Sequence, residues 1–299
     1  MTACLIVTPA AAQATNDPTN QPTVEVRMSN AGFDLPETVP AGPVAFRVSS
    51  VDGRQHLLDL FQSRQGGPVR RVLGDLRGTS LQNPPPLVSA SARKVDQEAE
   101  FFGGAQVDRD RPVQVTIVLC PGVYDVIDLI RVLQGSNKVR RLQVRGHHRA
   151  CESNGPRTGA DPKADRPNGL RFEPAAQTPA QVQLVRTVNG PRFRSPDLLP
   201  ANGRIRFTNA TNQGGEMVLQ RVRAGVTVEQ VYEALENGHS TAPIFEGPAY
   251  GLGGLSASHS ETLDDRSRPG RYVLLSDAPD IRTGASQVRL GAWRIVHLR

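Results

Sequence analysis

Two short stretches of this 299-residue chain carry residue types that could do metal or nucleophilic chemistry. His147, His148 and Cys151 place two imidazoles and a thiol close together, a donor set that suits Zn²⁺ or Cu²⁺. Ser258 stands beside His259, but neighbouring residues of a strand point to opposite sides, so this pair does not make a nucleophile and its base. We therefore interpret the first stretch as chance histidines in a linker and the second as a turn.

The cysteines and the N-terminus indicate the cellular compartment in which the protein works. Cys4 falls in an apolar N-terminal stretch, which leaves Cys120 and Cys151 as an even pair. In an oxidising compartment the two could form a disulfide or remain free, and their spacing does not decide between these. Residues 1–21 have the small-residue pattern of a signal peptide, with cleavage after Ala14, but lack its charged start. They are a signal peptide that begins further upstream or a disordered tail.

Composition limits the class of protein. The net charge is +6 and the pI about 9.7, yet the basic residues are scattered, so we expect no nucleic-acid partner. After the N-terminus, no segment reaches the apolar length of a transmembrane helix. The 28 glycines and 24 prolines favour many turns and short strands. We expect a secreted or cell-envelope protein.

The same order of features occurs twice, in a first unit (residues 22–146) and a second unit (residues 179–299). Each unit has two alternating strands, an amphipathic helix, a Gly-Gly loop, a P-G-x-Y strand and a last strand. The helices are predicted to stop at Gly78 and Gly238, and Thr227 with Gln230 forms a capping box. Residues 147–178 between the units read as a linker.

Several shorter motifs predict local features of the two units. The Gly-Gly loops are Gly103–Gly104 and Gly253–Gly254, and the proline run at 83–88 should be extended. Tyr124 and Tyr272 are either corner tyrosines bonded to backbone or simple core fillers. The first unit has the larger insertion, residues 62–106, where we expect a partner surface.

Both units resemble cupredoxin-like domains, the Greek-key sandwich of blue copper proteins. The second is the closer match, through "NATNQGGEMVLQRVRAGVTVEQVYEALENG" and "RPGRYVLLSD". The resemblance implies an all-β chain of two Greek-key β-sandwich (cupredoxin-like) domains, each with one short surface helix.

The resemblance also implies where copper ligands would stand. The first-His position is His56 in the first unit and Gly215 in the second, and the Cys position is Asp128 and Ser276, respectively. The stretches that follow the Cys positions, "LIRVLQGSNKV" and "DAPDIRTGASQV", contain neither His nor Met, so most of a blue copper set of two His, Cys and Met is missing. We expect no metal and no cofactor, and we expect His56 to be a loop or partly buried residue bonded to backbone.

These observations favour an exported, non-enzymatic binding or structural protein with an unknown extracytoplasmic protein or surface ligand as its partner. The alternative is an extracytoplasmic copper-binding or electron-transfer protein that uses His56 with unrecognised ligands. A hydrolase would need a nucleophile–base pair that the sequence does not offer.

Overall fold

A computed structural model describes residues 21–109, 111–152, 178–237 and 243–299. The predicted signal peptide, most of the linker and the helix stop at Gly238 lie outside the described residues.

Short strands dominate both units. The strands of the first unit are β1 (Thr23–Ser29), β2 (Gly32–Phe33), β3 (Thr38–Pro40), β4 (Gly42–Ser50), β5 (His56–Ser63), β6 (Ala99–Val107), β7 (Val113–Leu119), β8 (Gly122–Asp128) and β9 (Arg140–Arg145). The strands of the second unit are β10 (Ala180–Thr187), β11 (Gly190–Arg194), β12 (Leu198–Leu199), β13 (Asn202–Ala210), β14 (Val218–Val222), β15 (Phe245–Leu252), β16 (Ser260–Arg266), β17 (Gly270–Leu275) and β18 (Trp293–Leu298). The helices are α1 (Val69–Gly78), α2 (Pro85–Glu98), α3 (Leu129–Leu133), α4 (Arg149–Glu152) and α5 (Val228–Glu236).

Two large sheets run through both units. The eight-stranded sheet has the order β11-β10-β13-β16-β7-β4-β1-β2, and the ten-stranded sheet has the order β12-β18-β17-β14-β15-β6-β5-β8-β9-β3. The chain crosses between the sheets, since β5 and β6 are antiparallel neighbours in one sheet while β4 and β7, which flank them in sequence, pair in the other. This is a Greek-key order, and the predicted all-β fold class is confirmed.

The units join edge to edge in both sheets. Strand β7 pairs with β16, with Val115 opposite Leu263, and β6 pairs with β15, with Gln106 opposite Gly251. From this junction outward, each sheet presents corresponding strands of the two units in the same order. The pairing satisfies backbone groups that would otherwise form exposed sheet edges.

One apolar core draws on both sheets and continues from the first unit into the second. Val26, Phe46 and Val115 of the first unit and Phe207 and Leu263 of the second are at most 1% exposed. Full burial of such a side chain contributes about 1.5–3 kcal/mol. The alternating strand pattern therefore builds a shared interior rather than two separate ones.

The amphipathic helices cover the ten-stranded sheet. Helix α1 buries Val72, Leu73 and Leu76 against a cluster that includes Phe61 and Phe101. Helix α5 packs in the corresponding cluster of the second unit. Its predicted capping box is confirmed, because the Thr227 side chain accepts from Gln230 N and the Gln230 side chain accepts from Thr227 N.

The insertion of the first unit differs from the prediction. The proline run is not extended throughout, because Pro85 and Pro86 open helix α2, where a missing N–H costs no hydrogen bond. With α2 and α3 the first unit has more than the single helix predicted for it. Gly103 and Gly104 lie inside β6 rather than in a loop.

The corner tyrosines are confirmed in both units. The Tyr124 hydroxyl accepts from Cys120 N and donates to Cys120 O, both at 3.0 Å. The Tyr272 hydroxyl donates to Arg268 O at 3.0 Å. Each bond fixes the turn that leads into the P-G-x-Y strand.

Candidate functional site at the junction of the two units

The positions predicted from the copper-site resemblance come together in space. In the first unit His56 begins β5 and Asp128 ends β8, and His56 Nδ1 lies 2.6 Å from Asp128 Oδ2. In the second unit Ser276 follows β17, and its Oγ accepts from the N–H of Glu216, the residue after Gly215, at 3.3 Å. The two positions are hydrogen-bonded to each other in the first unit, and in the second unit Ser276 is bonded to the residue that follows Gly215.

His56 differs from its predicted environment. It is fully buried, and its partners are carboxylates rather than backbone: Asp128 on Nδ1 and Asp52 on Nε2, the latter at 3.0 Å. Burial lowers the pKa of His56, but the hydrogen bonds and negative charges of Asp128 and Asp52 outweigh burial and raise the pKa above its usual value. The two acids lie on opposite sides of the ring and favour its protonated form.

In the second unit a polar network occupies the corresponding end. Ser276 is fully buried and its Oγ donates to Gln287 Oε1 at 3.1 Å. Gln287 Nε2 donates to Gly214 O at 2.7 Å, and Gly215 N donates to Leu255 O at 3.0 Å. These bonds connect the loop before β14 to the loop after β17 through side-chain amide and hydroxyl groups.

The histidine-rich stretch offers little for a metal. Cys151 forms a disulfide with Cys120, with 5.4 Å between the Cα atoms, so its thiol is not free as a ligand. The Cβ that an alanine would add at Gly42 would lie 2.5 Å from the ring of His148, so this ring packs on the backbone of β4. Among the described residues, no group of three His, Cys, Asp or Glu side chains is arranged to hold a metal ion.

The Ser258–His259 pair is a turn, as predicted. Ser258 has a left-handed backbone with φ 67°, and His259 Nε2 lies 2.7 Å from Glu100 Oε1 instead of facing a serine hydroxyl. No nucleophile is activated at this point.

The insertion of the first unit covers the second unit. Ser89 Oγ donates to Ile281 O at 2.9 Å, and Arg93 donates to the same carbonyl at 3.1 Å. Gly284 passes so close to α2 that a Cβ there would lie 2.0 Å from Pro85 O. One face of the insertion, where a partner surface was expected, therefore packs on the loop that follows Ser276 in the same chain.

A cleft lies beneath this cover, and we call it the junction cleft. Its inner compartment has a volume of about 130 Å³ and is lined mainly by apolar groups, with the carboxyls of Asp59, Asp96 and Glu216. Its outer compartment, about 660 Å³, runs along the ten-stranded sheet past Leu81, Phe245 and Asp277. Glu216 lines both compartments.

Asp59 is a fully buried acid that sequence reasoning missed. Its Oδ1 accepts from Gly254 N at 2.8 Å, whereas Oδ2 has no hydrogen-bond partner in the described part of the chain. Burial raises the pKa of Asp59 well above its usual value, and the charges of Glu216 and Asp128 raise it further against the Gly254 hydrogen bond. Burial therefore favours the neutral form of this carboxyl.

Glu261 is a second buried acid, contributed by the second unit. Its Oε2 accepts from Gly104 N at 3.1 Å, and a Cβ at Gly103 would lie 2.3 Å from the same oxygen. Asp59 is accommodated in the same way, since a Cβ at Gly253 would lie 2.1 Å from its Oδ1. The glycine pairs noticed in the sequence thus make room for an acid of the other unit.

Glu216 and Asp277 form a coupled pair in the cleft. Glu216 Oε1 accepts from Asp277 N at 2.7 Å. Burial and the Asp277 charge raise the pKa of Glu216 to about 7, against the hydrogen bonds from Asp277 N and Ala278 N. Burial also raises the pKa of Asp277, while a hydrogen bond from Ser286 opposes it. Both residues directly follow a predicted ligand position, and this adjacency is the sequence signal that could have found them.

Comparison with known proteins gives weak likenesses. No family model and no curated protein matches the chain. Auracyanin A, a blue copper protein from Chloroflexus aurantiacus, is 17% identical over 41% of this chain and 98% of its own, with a TM-score of 0.30. The copper nitrite reductase of Nitrosomonas europaea is 13% identical over 93% of each chain, with a TM-score of 0.25. A laccase from Pediococcus acidilactici is 9% identical over 94% of this chain and 60% of its own, with a TM-score of 0.24. At such TM-scores these likenesses carry no argument.

Within the described ranges, no helix combines the length and the apolar character needed to cross a membrane.

Proposed function

We propose that this chain is an exported, non-enzymatic binding protein, built on two degenerate cupredoxin-like units, that holds a small ligand in the junction cleft. The observation that carries the proposal is the cleft itself. Both units form its walls, α2 covers it, and its inner end is apolar with few polar groups, as is typical of small-molecule sites.

The absence of catalysis is part of this proposal. The acids of the cleft are not accompanied by a Ser or Cys with a base in the parts of the chain that the structure describes. His56 and His259 each face carboxylates rather than a nucleophile. A bound molecule would therefore leave unchanged.

Copper binding by His56 is the weaker alternative. Both nitrogens of this ring face carboxylates on opposite sides, so the ring and its two acids do not converge on one point where an ion could sit. A metal would also have to displace a proton that both acids stabilise. Copper titration tests this directly: we expect no tight stoichiometric site, and a site that disappears in His56→Ala would favour the alternative.

A screen of small apolar fragments by ligand-observed NMR tests the binding function. Ala92 of α2 lines the inner compartment, and Ala92→Phe would fill it. Ala90→Phe, on the same helix but outside the lining, is the matched control. We expect fragments that bind wild type and Ala90→Phe, fail to bind Ala92→Phe, and keep their own spectra on long incubation. Fragments that bind all three proteins equally would place binding elsewhere, and chemical turnover would contradict the non-enzymatic proposal.

Export is tested separately. Residues 1–21 fused to a reporter enzyme that folds only outside the cytoplasm should yield an active reporter, and an inactive fusion would count against export by this segment.

A further inference from the structure

We infer that the inner compartment of the junction cleft binds a small apolar amine, whose ammonium group pairs with the carboxylate of Asp59. This inference rests on the proposed binding function and names the chemical class of the ligand.

The shape of the compartment selects a small apolar body. Leu76, Ala92, Phe101 and Leu255 are among its lining residues, and its volume is about 130 Å³. An engineered apolar cavity of roughly 150 Å³ in another protein binds benzene. The compartment therefore suits a ligand with about one ring or a short branched chain.

The charges of the compartment select a cation. The ionisable side chains in its described lining are Asp59, Asp96 and Glu216, and no Lys, Arg or His accompanies them. An anion would find no cationic side chain there, whereas an ammonium group would meet carboxyls that can ionise to pair with it. An apolar amine thus matches both the lining and its charge.

Asp59 supplies the specific contact. It is fully buried, yet its Oδ2 has no hydrogen-bond partner among the described residues. An unpaired buried oxygen costs about 1–3 kcal/mol, and a bound N–H group would remove this cost. Glu261 is also buried, with one carboxyl oxygen that lacks a hydrogen-bond partner among the described residues. It does not line the compartment, so it provides an internal control.

Binding of an ammonium ion displaces a proton from Asp59. The groups that act on Asp59 are Glu216, Asp128 and Glu261, and Asp128 is in turn paired with His56. Burial raises the pKa of Asp59 and thereby favours its neutral form in the empty site. When an ammonium ion enters from water, the O–H bond of Asp59 breaks, its proton leaves to solvent, and an N–H donor takes its place on the carboxylate. Binding therefore releases about one proton for each ammonium ion bound.

Isothermal titration calorimetry with benzylamine and benzyl alcohol tests the inference on the intact chain. Charge-assisted hydrogen bonds exceed neutral ones by about 1–1.5 kcal/mol, so benzylamine should bind about tenfold more tightly than benzyl alcohol. Titration at pH 8 in buffers of different ionisation enthalpy measures the released proton. Asp59→Asn should lose the preference and the proton release, whereas Glu261→Gln should keep both.

The results of these titrations distinguish a wrong ligand class from a cleft that binds no ligand. If benzyl alcohol binds as tightly as benzylamine and Ala92→Phe abolishes both, the cleft binds ligands but the amine class is wrong. If benzylamine binds without proton release, or binds Asp59→Asn equally well, the role of Asp59 is refuted even if that variant folds poorly, because proton release is measured on wild type. If neither compound nor any screened fragment binds, the binding function itself fails.

Discussion

Replacement of His56 by alanine tests how the first unit is held together. The His56 ring lies between Asp128, 2.6 Å from Nδ1, and Asp52, 3.0 Å from Nε2, and its side chain has no exposure to solvent. His56→Ala would remove the imidazole that contacts the largely buried Asp128 and leave it with Arg131, whose Nε lies 3.9 Å from Oδ2, as a more distant cation. Removing one partner of a buried ion pair costs about 3–5 kcal/mol.

We expect the lower end of this range. Asp128 retains the N–H of Leu57 at 3.3 Å, and Asp52 is partly exposed and also accepts from Asn30 N at 2.7 Å. With an unfolding entropy of about 2.1 cal/mol/K per residue, a loss of about 3 kcal/mol corresponds to a fall in Tm of about 5 °C for this 299-residue chain.

The effect has a definite pH dependence. The pKa of His56 is raised in the folded protein above the 6.5 of the unfolded chain, so the folded state holds its proton more tightly. This stabilisation is fully present below pH 6.5 and is lost as the pH rises through the folded-state pKa. The difference in unfolding free energy between wild type and His56→Ala should therefore be larger at pH 6 than at pH 10.

Urea unfolding at both pH values measures this difference, with His297→Ala as the control because that side chain is exposed. A loss below about 1 kcal/mol, the size of a surface ion pair, or a difference that grows as the pH rises would refute the buried-ion-pair account.

Two further predictions concern the junction and the disulfide. Gly104→Ala would place a Cβ 1.7 Å from Leu58 O, inside the ten-stranded sheet, and should destabilise by about 3 kcal/mol or more in thermal unfolding. The matched Gly74→Ala, on α1 with open space around it, should stabilise by about 0.5–1 kcal/mol; equal effects would mean that the junction tolerates a side chain. Cys120→Ser opens a loop with a sequence separation of 31 and should cost about 3–4 kcal/mol in urea unfolding. No loss of stability in that variant would show that the disulfide does not restrain the chain.

Much of the fold could be predicted because its signals are local. Alternating apolar residues specify the strands, and the Thr227–Gln230 pair specifies the start of α5. The resemblance to cupredoxin-like domains implied corresponding ligand positions at His56 and Asp128, and the two lie together because β5 and β8 pair directly. Their chemistry did not follow, because the burial of the His56 ring between two acids depends on the folded loop that carries Asp52.

The candidate site could not be predicted because it depends on contacts between the units. Asp59 is a single acid within the apolar run "HLLDLF", a pattern that indicates a buried charge but not its partner. Its partner, Gly254, is 195 residues away. Edge pairing of β6 with β15 brings them together, and no short-range pattern specifies which edges meet.

Each unit places a buried acid against glycines of the other unit, and this arrangement favours pairing between unlike units. By strand register, the position of Asp59 corresponds to Val218, since both lie opposite a glycine of the following strand. By the same register, Gly253 and Gly254 correspond to Gln106 and Val107. If two copies of the first unit paired edge to edge, Gln106 would take the place of Gly253, and its side chain would clash with the Asp59 carboxyl. A separately produced first unit should therefore associate with the second unit in preference to another copy of itself. The molecule is thus suited to reassembly from two fragments.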